Sequence, residues 1–264
     1  MKRYEAVTRT QLIPLLPTLA RVDGRSFHAF TKGMERPYDM WMVQAMRDTA
    51  MALVKETGAR TAYTQSDEIT LLWYSDRPGS QIWFDGDHTK MVSQIAAQAT
   101  LHFYRACLER MPEHARKLPT FDGRVWQVPN KEEAANVFRW REWDATKNSI
   151  TMAASSVYTE EELHGKNGSQ KQDMLWQKGI NWNDYPAFFK RGTFIHRRVV
   201  RSKFTVHEIE KLPEKHHART NPDLEVERNK WVHVKMPPIG SVINLEAVIF
   251  DGANPMATSN TTLD

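Results

Sequence analysis

Residues 18–23 (TLARVD) alternate apolar and polar positions like a half-buried strand that breaks at Gly24. Asp39, placed after Pro37, is positioned to cap a helix. Met42, Ala45, Met46, Thr49, Ala50 and Leu53 then fall on one helical face, which Gly58 closes. Two β-rich runs, 60–65 and 69–74, are separated only by Ser66-Asp67-Glu68, which predicts a hairpin without the usual glycine. Asp76-Arg77-Pro78-Gly79 reads as a turn. A second amphipathic helix over about 89–111 carries Val92, Ile95, Ala96, Ala99, Phe103 and Ala106 on its apolar face. A fourth strand follows at 120–128, then a third helix at about 131–144. Two glutamates open that helix and suit its positive end. No internal repeat or low-complexity block interrupts this pattern.

The order strand, helix, strand, strand, helix, strand predicts an α+β fold built on a ferredoxin-like split βαβ unit. The third strand then lies antiparallel beside the first, about 4.8 Å away. Asp23, at the end of the first strand, is thereby brought to Asp67 and Glu68 on the hairpin, although 44 residues separate Asp23 from Asp67. Carboxylates this close repel one another, and a divalent cation between them relieves the repulsion. The bland reading is that they are ordinary turn acids. Magnesium, which takes oxygen ligands and keeps substrate phosphates in its shell, fits better than zinc. Gly24-Arg25-Ser26 leaves the strand with no bulky first residue, so that backbone amides can approach a phosphate. Neither a P-loop nor a G-x-G-x-x-G element is present. Lys32, Arg36 and the N-terminus of the helix after Asp39 add positive potential near the same edge.

Composition narrows the class. The 264 residues are 41% hydrophobic and 26% charged, which excludes a disordered, collagenous or membrane-embedded chain. The single cysteine, Cys107, excludes a disulfide framework and a thiolate metal cluster, and its place four residues after Phe103 extends an apolar helix face. The first residues have no apolar signal core. The richest apolar run, 242–250, is too short to span a bilayer and contains Glu246, so a cytoplasmic protein without a membrane partner is expected. The net charge is only +4, but residues 185–206 hold Lys190, Arg191, Arg197, Arg198, Arg201 and Lys203 with no acid. Phe188, Phe189, Phe194 and Phe204 interleave with these charges, a pattern that suits phosphates and unpaired bases or an amphipathic strand pair with a solvated face. The nine tryptophans are expected in core and interface, and His216-His217 in a surface loop.

Four blocks together carry a resemblance: Arg21-Val22-Asp23-Gly24-Arg25-Ser26-Phe27-His28-Ala29-Phe30-Thr31-Lys32, Arg36-Pro37-Tyr38-Asp39, Ser66-Asp67-Glu68 and Phe121-Asp122-Gly123-Arg124-Val125. Over about residues 18–192 the chain resembles the tRNA-His guanylyltransferase family of 3′-to-5′ nucleotide polymerases. The resemblance implies a polymerase/cyclase-type palm over 1–150. It leaves 151–264 as a basic, tRNA-facing accessory region of helical and β-hairpin additions, whose tail, 257–264, is expected to be disordered. It implies two Mg²⁺ ions held by Asp23, Asp67 and the Gly24 carbonyl, with Glu68 in support. It gives the triphosphate to the amides of Ser26, Phe27 and His28, with Arg25, Arg36, Asp39 and Ser66 as further nucleotide contacts. Asp122 matches a family residue, though a turn acid is the simpler reading. Lys147, Asn148 and the Lys190-Arg191-Gly192-Thr193 element are implied to face tRNA.

The implied reaction is 5′ activation, by adenylylation from ATP, followed by attack of the 3′-hydroxyl of an incoming nucleotide such as GTP. A homo-oligomer, commonly a tetramer, is implied as well. The family's HINNLYN element is altered here: Thr146 replaces its His, and Thr151-Met152 its closing Tyr-Asn. That resembles the bacterial, archaeal and viral "like" branch and favours templated repair of truncated 5′ ends over G addition to tRNA-His. A palm-type nucleotide cyclase or dinucleotide synthase would use the same acids, and a non-catalytic tRNA-binding protein would need none of them.

Overall fold

The computed structural model describes residues 1–221 and 223–258. Among them, six antiparallel strands form one sheet in the order β4-β1-β3-β2-β5-β6. The strands are β1 (Thr18–Gly24), β2 (Thr61–Gln65), β3 (Glu68–Trp73), β4 (Phe121–Gln127), β5 (Thr193–Lys203) and β6 (Glu225–Val234). Four longer helices are α1 (Met40–Thr57), α2 (His88–Arg110), α3 (Lys131–Ser155) and α4 (Gly168–Gln177). The expected pairing of β3 with β1 is present, with Asp23 directly opposite Glu68.

Alternation along the strands sorts the core. Ala20, Val22, Ile69 and Leu71 face α1 and α2, where Met46, Leu53, Ile95 and Phe103 are buried. Leu19, Leu72 and Phe194 face the opposite way, toward Phe138 of α3 and the C-terminal Val248, Ile249 and Phe250. Cys107 lies in the first of these cores, where burial pushes its thiol up to about 12. Asp39 caps α1 by accepting from the Trp41 and Met42 amides at 2.9 and 3.1 Å, and Gly58 ends it at φ +69°.

Three expectations change. Glu68 is not part of the hairpin tip but the first residue of β3; a two-residue turn, with Ser66 at φ +51°, makes the reversal. The helix expected to stop near 144 runs on to 155, because Ala145, Ser149, Ile150, Ala153 and Ala154 continue its buried face. Residue 150, where the accessory region was expected to begin, lies within α3, and β5 and β6 extend the sheet of the first half. Of the tail expected to be disordered, Ala257 bridges to Val242 and the Thr258 amide donates to Ser241 at 3.0 Å, while 259–264 lie outside the described residues. Among the described residues no helix is long and apolar enough to cross a membrane.

Candidate active site

The site begins with a row of acids. Asp23 of β1 faces Glu68 of β3 on one side and Asp122 of β4 on the other. Directly opposed side chains share a sheet face, and like charges there destabilise. Two arginines offset this. Arg21, two residues before Asp23 and so on the same face, lies 2.5 Å from Asp23 and 3.8 Å from Glu68. Arg141 reaches down from α3 to Glu68 at 2.9 Å, with its guanidinium 4.5 Å from the Trp140 ring centroid.

Asp67 reaches this row through the backbone. The Gly24 amide donates to the Asp67 carbonyl at 3.1 Å, tying the end of β1 to the turn between β2 and β3. Burial holds the Asp67 carboxyl above the usual carboxylate range, and the Asp23 charge adds to this, while its own amide and the Ser66 hydroxyl pull the other way. Glu68 is also raised by burial, against the pull of Arg141 and Arg21 and with the push of Asp23 and Asp67. Both groups thus sit where added positive charge is favourable.

Beyond Asp67 a pocket of about 400 Å³ opens, a size that suits a nucleotide. Phe27, His28, Arg36, Asp39, Ser66 and Asp67 line it, and so do Thr151 and Met152 of α3 and Phe188. Its floor is the turn after β1. Ser26 takes a left-handed conformation, φ +55°, and starts the short helix Phe27–Phe30. The first backbone bond of that turn runs from the Ala29 amide to the Ser26 carbonyl at 2.9 Å, so the amides of Ser26, Phe27 and His28 precede it, as the leading N–H groups of a helix do. Gly24 serves a purpose the sequence did not disclose. The Phe27 ring packs against it so closely that any Cβ at 24 would collide with the ring. The small residue makes room for that aromatic floor. Arg25 gives its amide to the Thr120 carbonyl at 2.9 Å. Asp39 lines the pocket, but its carboxylate is occupied by the amides of Trp41, Met42 and Glu35, so it shapes the wall.

The residues expected to meet tRNA are arranged differently. Lys147 and Asn148 lie on the exposed side of α3, not in a loop beyond it, and the Asn148 amide donates to Asp144 at 3.2 Å. Lys190 is buried: its ammonium donates to the Asn183 carbonyl at 2.5 Å and lies 5.6 Å from the Trp182 ring. It does not present a charge outward. Arg191 is half-buried, and its carbonyl accepts from the Tyr63 hydroxyl at 2.9 Å. Two members of the basic run pair with acids from elsewhere in the arm, Arg201 with Glu227 at 3.3 Å and Lys203 with Asp223 at 2.7 Å. Phe189 and Phe194 are buried, and Phe189 also lines the pocket. Four of the nine tryptophans, Trp41, Trp140, Trp143 and Trp176, are exposed rather than interior.

Arg21, Arg141 and Glu142 went unassigned in the sequence. Strand alternation alone puts Arg21 beside Asp23. Arg141 needed the true length and placement of α3. Glu142, one residue on, is buried, and one of its oxygens accepts from the Ile239 amide at 2.7 Å. The other has no hydrogen-bond partner, and burial pushes the group up to about 7, against the pull of the Ile239 amide and Arg191.

Sheet, turn and pocket define an α+β protein in which Asp67 lines a nucleotide-sized cavity and the end of β1, with Asp23, is tied to it. The family described as tRNAHis guanylyltransferase, Thg1, matches residues 1–129. A bacterial tRNA(His) guanylyltransferase (Thg1)-like protein in complex with ATP is 41% identical and superposes with a TM-score of 0.71, over 74% of this chain and 86% of that one. Another such bacterial protein, in complex with GTP, is 33% identical with a TM-score of 0.69, over 91% of this chain and 92% of that one. The tRNA(His) guanylyltransferase of Schizosaccharomyces pombe is 28% identical, over 76% of this chain and 80% of its own length. The chain belongs to the tRNAHis guanylyltransferase family.

Proposed function

We propose that this chain is a nucleotidyltransferase that adds nucleotides to the 5′ end of tRNA in the 3′-to-5′ direction, on a ferredoxin-like palm formed by β1 to β4 with α1 and α2. The observation that carries the reading is the 3.1 Å bond from the Gly24 amide to the Asp67 carbonyl. It fixes two acid-bearing segments, distant in sequence, at the mouth of a cavity of nucleotide size, in a family whose bacterial relatives were solved with ATP and with GTP.

The donor set fits magnesium. Among the described residues no group of three or more acidic, His or Cys side chains is gathered as a ready metal cage. Two carboxylates, Asp23 and Asp67, with the Gly24 carbonyl, are the modest protein share that this ion takes when phosphates and water complete its shell. Bound there, Mg²⁺ supplies charge neutralisation at phosphate oxygens. The protein's own groups do the rest. The amides of residues 26–28 receive the triphosphate, Arg36 offers it a cation, and Asp39 holds the wall against which the base lies. Arg21 keeps Asp23 in place, and Glu68, paired to Arg141, stands in support beside it. A 5′-monophosphate is first joined to AMP from ATP, releasing pyrophosphate. The 3′-hydroxyl of the incoming nucleotide then attacks that phosphate and AMP leaves; where the end is already a triphosphate, pyrophosphate leaves instead.

Thr146 and Thr151-Met152, together with the bacterial relatives, support 5′-end repair over G addition to tRNA-His. The test offers full-length and 5′-truncated tRNAs with each radiolabelled nucleotide in turn. Incorporation into truncated tRNAs is expected. A cyclic or dinucleotide product formed without RNA, or RNA binding with no nucleotide consumed, overturns the reading.

A further inference from the structure

The outer face of α3 holds a feature that the reaction above does not use. Trp140, Trp143, Lys147 and Thr151 follow at intervals of three and four residues, which places them on one stripe of the helix. The stripe lies away from Phe138, Glu142, Ala145 and Ser149, the positions α3 buries. Both tryptophans are 55% exposed. A ring of that size costs solvation when left in water and is normally buried or covered. Among the described residues, no aromatic ring or cation stacks on Trp143. Trp140 lends one face to Arg141, the same guanidinium that grips Glu68.

The stripe is continuous with the reacting centre at both ends. Toward the N-terminus of α3 it borders Arg141 and the acid row. Toward the C-terminus it ends at Thr151, which lines the pocket and accepts from the Lys171 ammonium at 3.0 Å. Lys147 and Lys171 supply positive charge along it. Asp144 is the acid on its margin, and its carboxylate accepts from Asn148. Exposed aromatics beside lysines match the chemistry of an unpaired nucleic-acid strand, whose bases stack while its phosphates are neutralised. They do not match a duplex, whose bases are already stacked. On the arm of β5 and β6, by contrast, Arg201, Lys203 and Arg228 are each engaged by an acid.

We propose that the Trp140–Trp143–Lys147 stripe is the docking surface for the unpaired strand beside the 5′ end being extended, with Trp143 stacking on one of its bases. This rests on the nucleotide-addition reading and assigns the part of the RNA that this surface takes. Trp143 is a positioning residue here, since it holds the strand and not the reacting phosphate.

The test compares RNA hairpins with an unpaired 3′ strand against blunt hairpins of equal length, using wild type, Trp143→Ala, Trp143→Phe and, as a remote exposed control, Trp176→Ala. Binding is read by fluorescence anisotropy in EDTA, and addition by the KM and kcat for each RNA. Trp143→Ala should weaken binding of the overhanging hairpin roughly 10-fold and raise its KM to match. The kcat and the KM for nucleotide should stay within about twofold, and blunt hairpins should be unaffected. Trp143→Phe should recover most of the loss, and Trp176→Ala should show none. Equal loss on both hairpins, no loss on either, or a change in sedimentation of the free protein in place of a change in RNA binding would overturn the proposal. The binding arm needs no turnover. An anisotropy difference in a protein that adds no nucleotide would therefore sink the activity reading and leave this one standing.

Discussion

Charge is handled in opposite ways at the two ends of the sheet. At β4-β1-β3 three acids, Asp122, Asp23 and Glu68, sit side by side on adjacent strands. At β5-β6 three cations meet acids, Arg201 with Glu227, Lys203 with Asp223 and Arg228 with Glu208, although Arg198 stands opposite Lys230. Those three pairs are what strand pairing favours. The row of acids costs stability, and two arginines from within the fold repay part of it. The run of basic residues is the conspicuous feature of the sequence, yet the acid row is the part the fold leaves open to chemistry.

The contrast can be broken by substitution. The largest effect is expected at the acid end. Asp67→Asn should lower 5′ addition by about 10³-fold while tRNA affinity stays within about twofold, measured by single-turnover kinetics and filter binding. Next is Glu142, buried on α3 one residue beyond Arg141. Its carboxyl titrates near 4.5 unfolded and at about 7 folded. Below pH 4.5 both states hold the proton; as pH rises toward 7 only the unfolded state releases it, so stability is lost over that interval. The loss should be on the order of 3 kcal/mol and absent from Glu142→Gln. Melting temperatures of the two proteins should therefore diverge from pH 4.5 upward, and parallel curves would refute the assignment. Arg141→Leu, which strands Glu68, should cost on the order of 2 kcal/mol, much of it restored by adding Glu68→Gln. Urea denaturation reads both. The smallest effect belongs to the arm: Arg201→Ala should shift the melting temperature by less than about 2 °C, because its ion pair with Glu227 is solvated. A large shift there would erase the distinction.

Much of the first half was legible because local patterns decide it. The alternation at 18–23, the cap at Asp39 and the spacing along α1 and α2 each need only neighbouring residues, and their order then implied which strands meet. Asp23 and Asp67 followed from that order. What escaped depends on distant partners. The acids that match the basic run lie some twenty residues downstream on β6 and its approach, so a window over 185–206 saw only one sign. The end of α3 was hidden because its buried face beyond 144 is set by packing against residues as far away as Lys190. Gly24 was legible as a small residue but not as the lid of an aromatic ring, since nothing in its neighbours says where Phe27 turns.

The uninterrupted length of α3 also works as a ruler. Arg141 touches the acid row and Met152 borders the cavity, and eleven residues of rigid helix hold them about 16 Å apart along the axis. Inserting one residue between them would swing one station about 100° away from the other. The span between the two stations is therefore set by a count of residues, and no flexible joint inside the rod is free to adjust it.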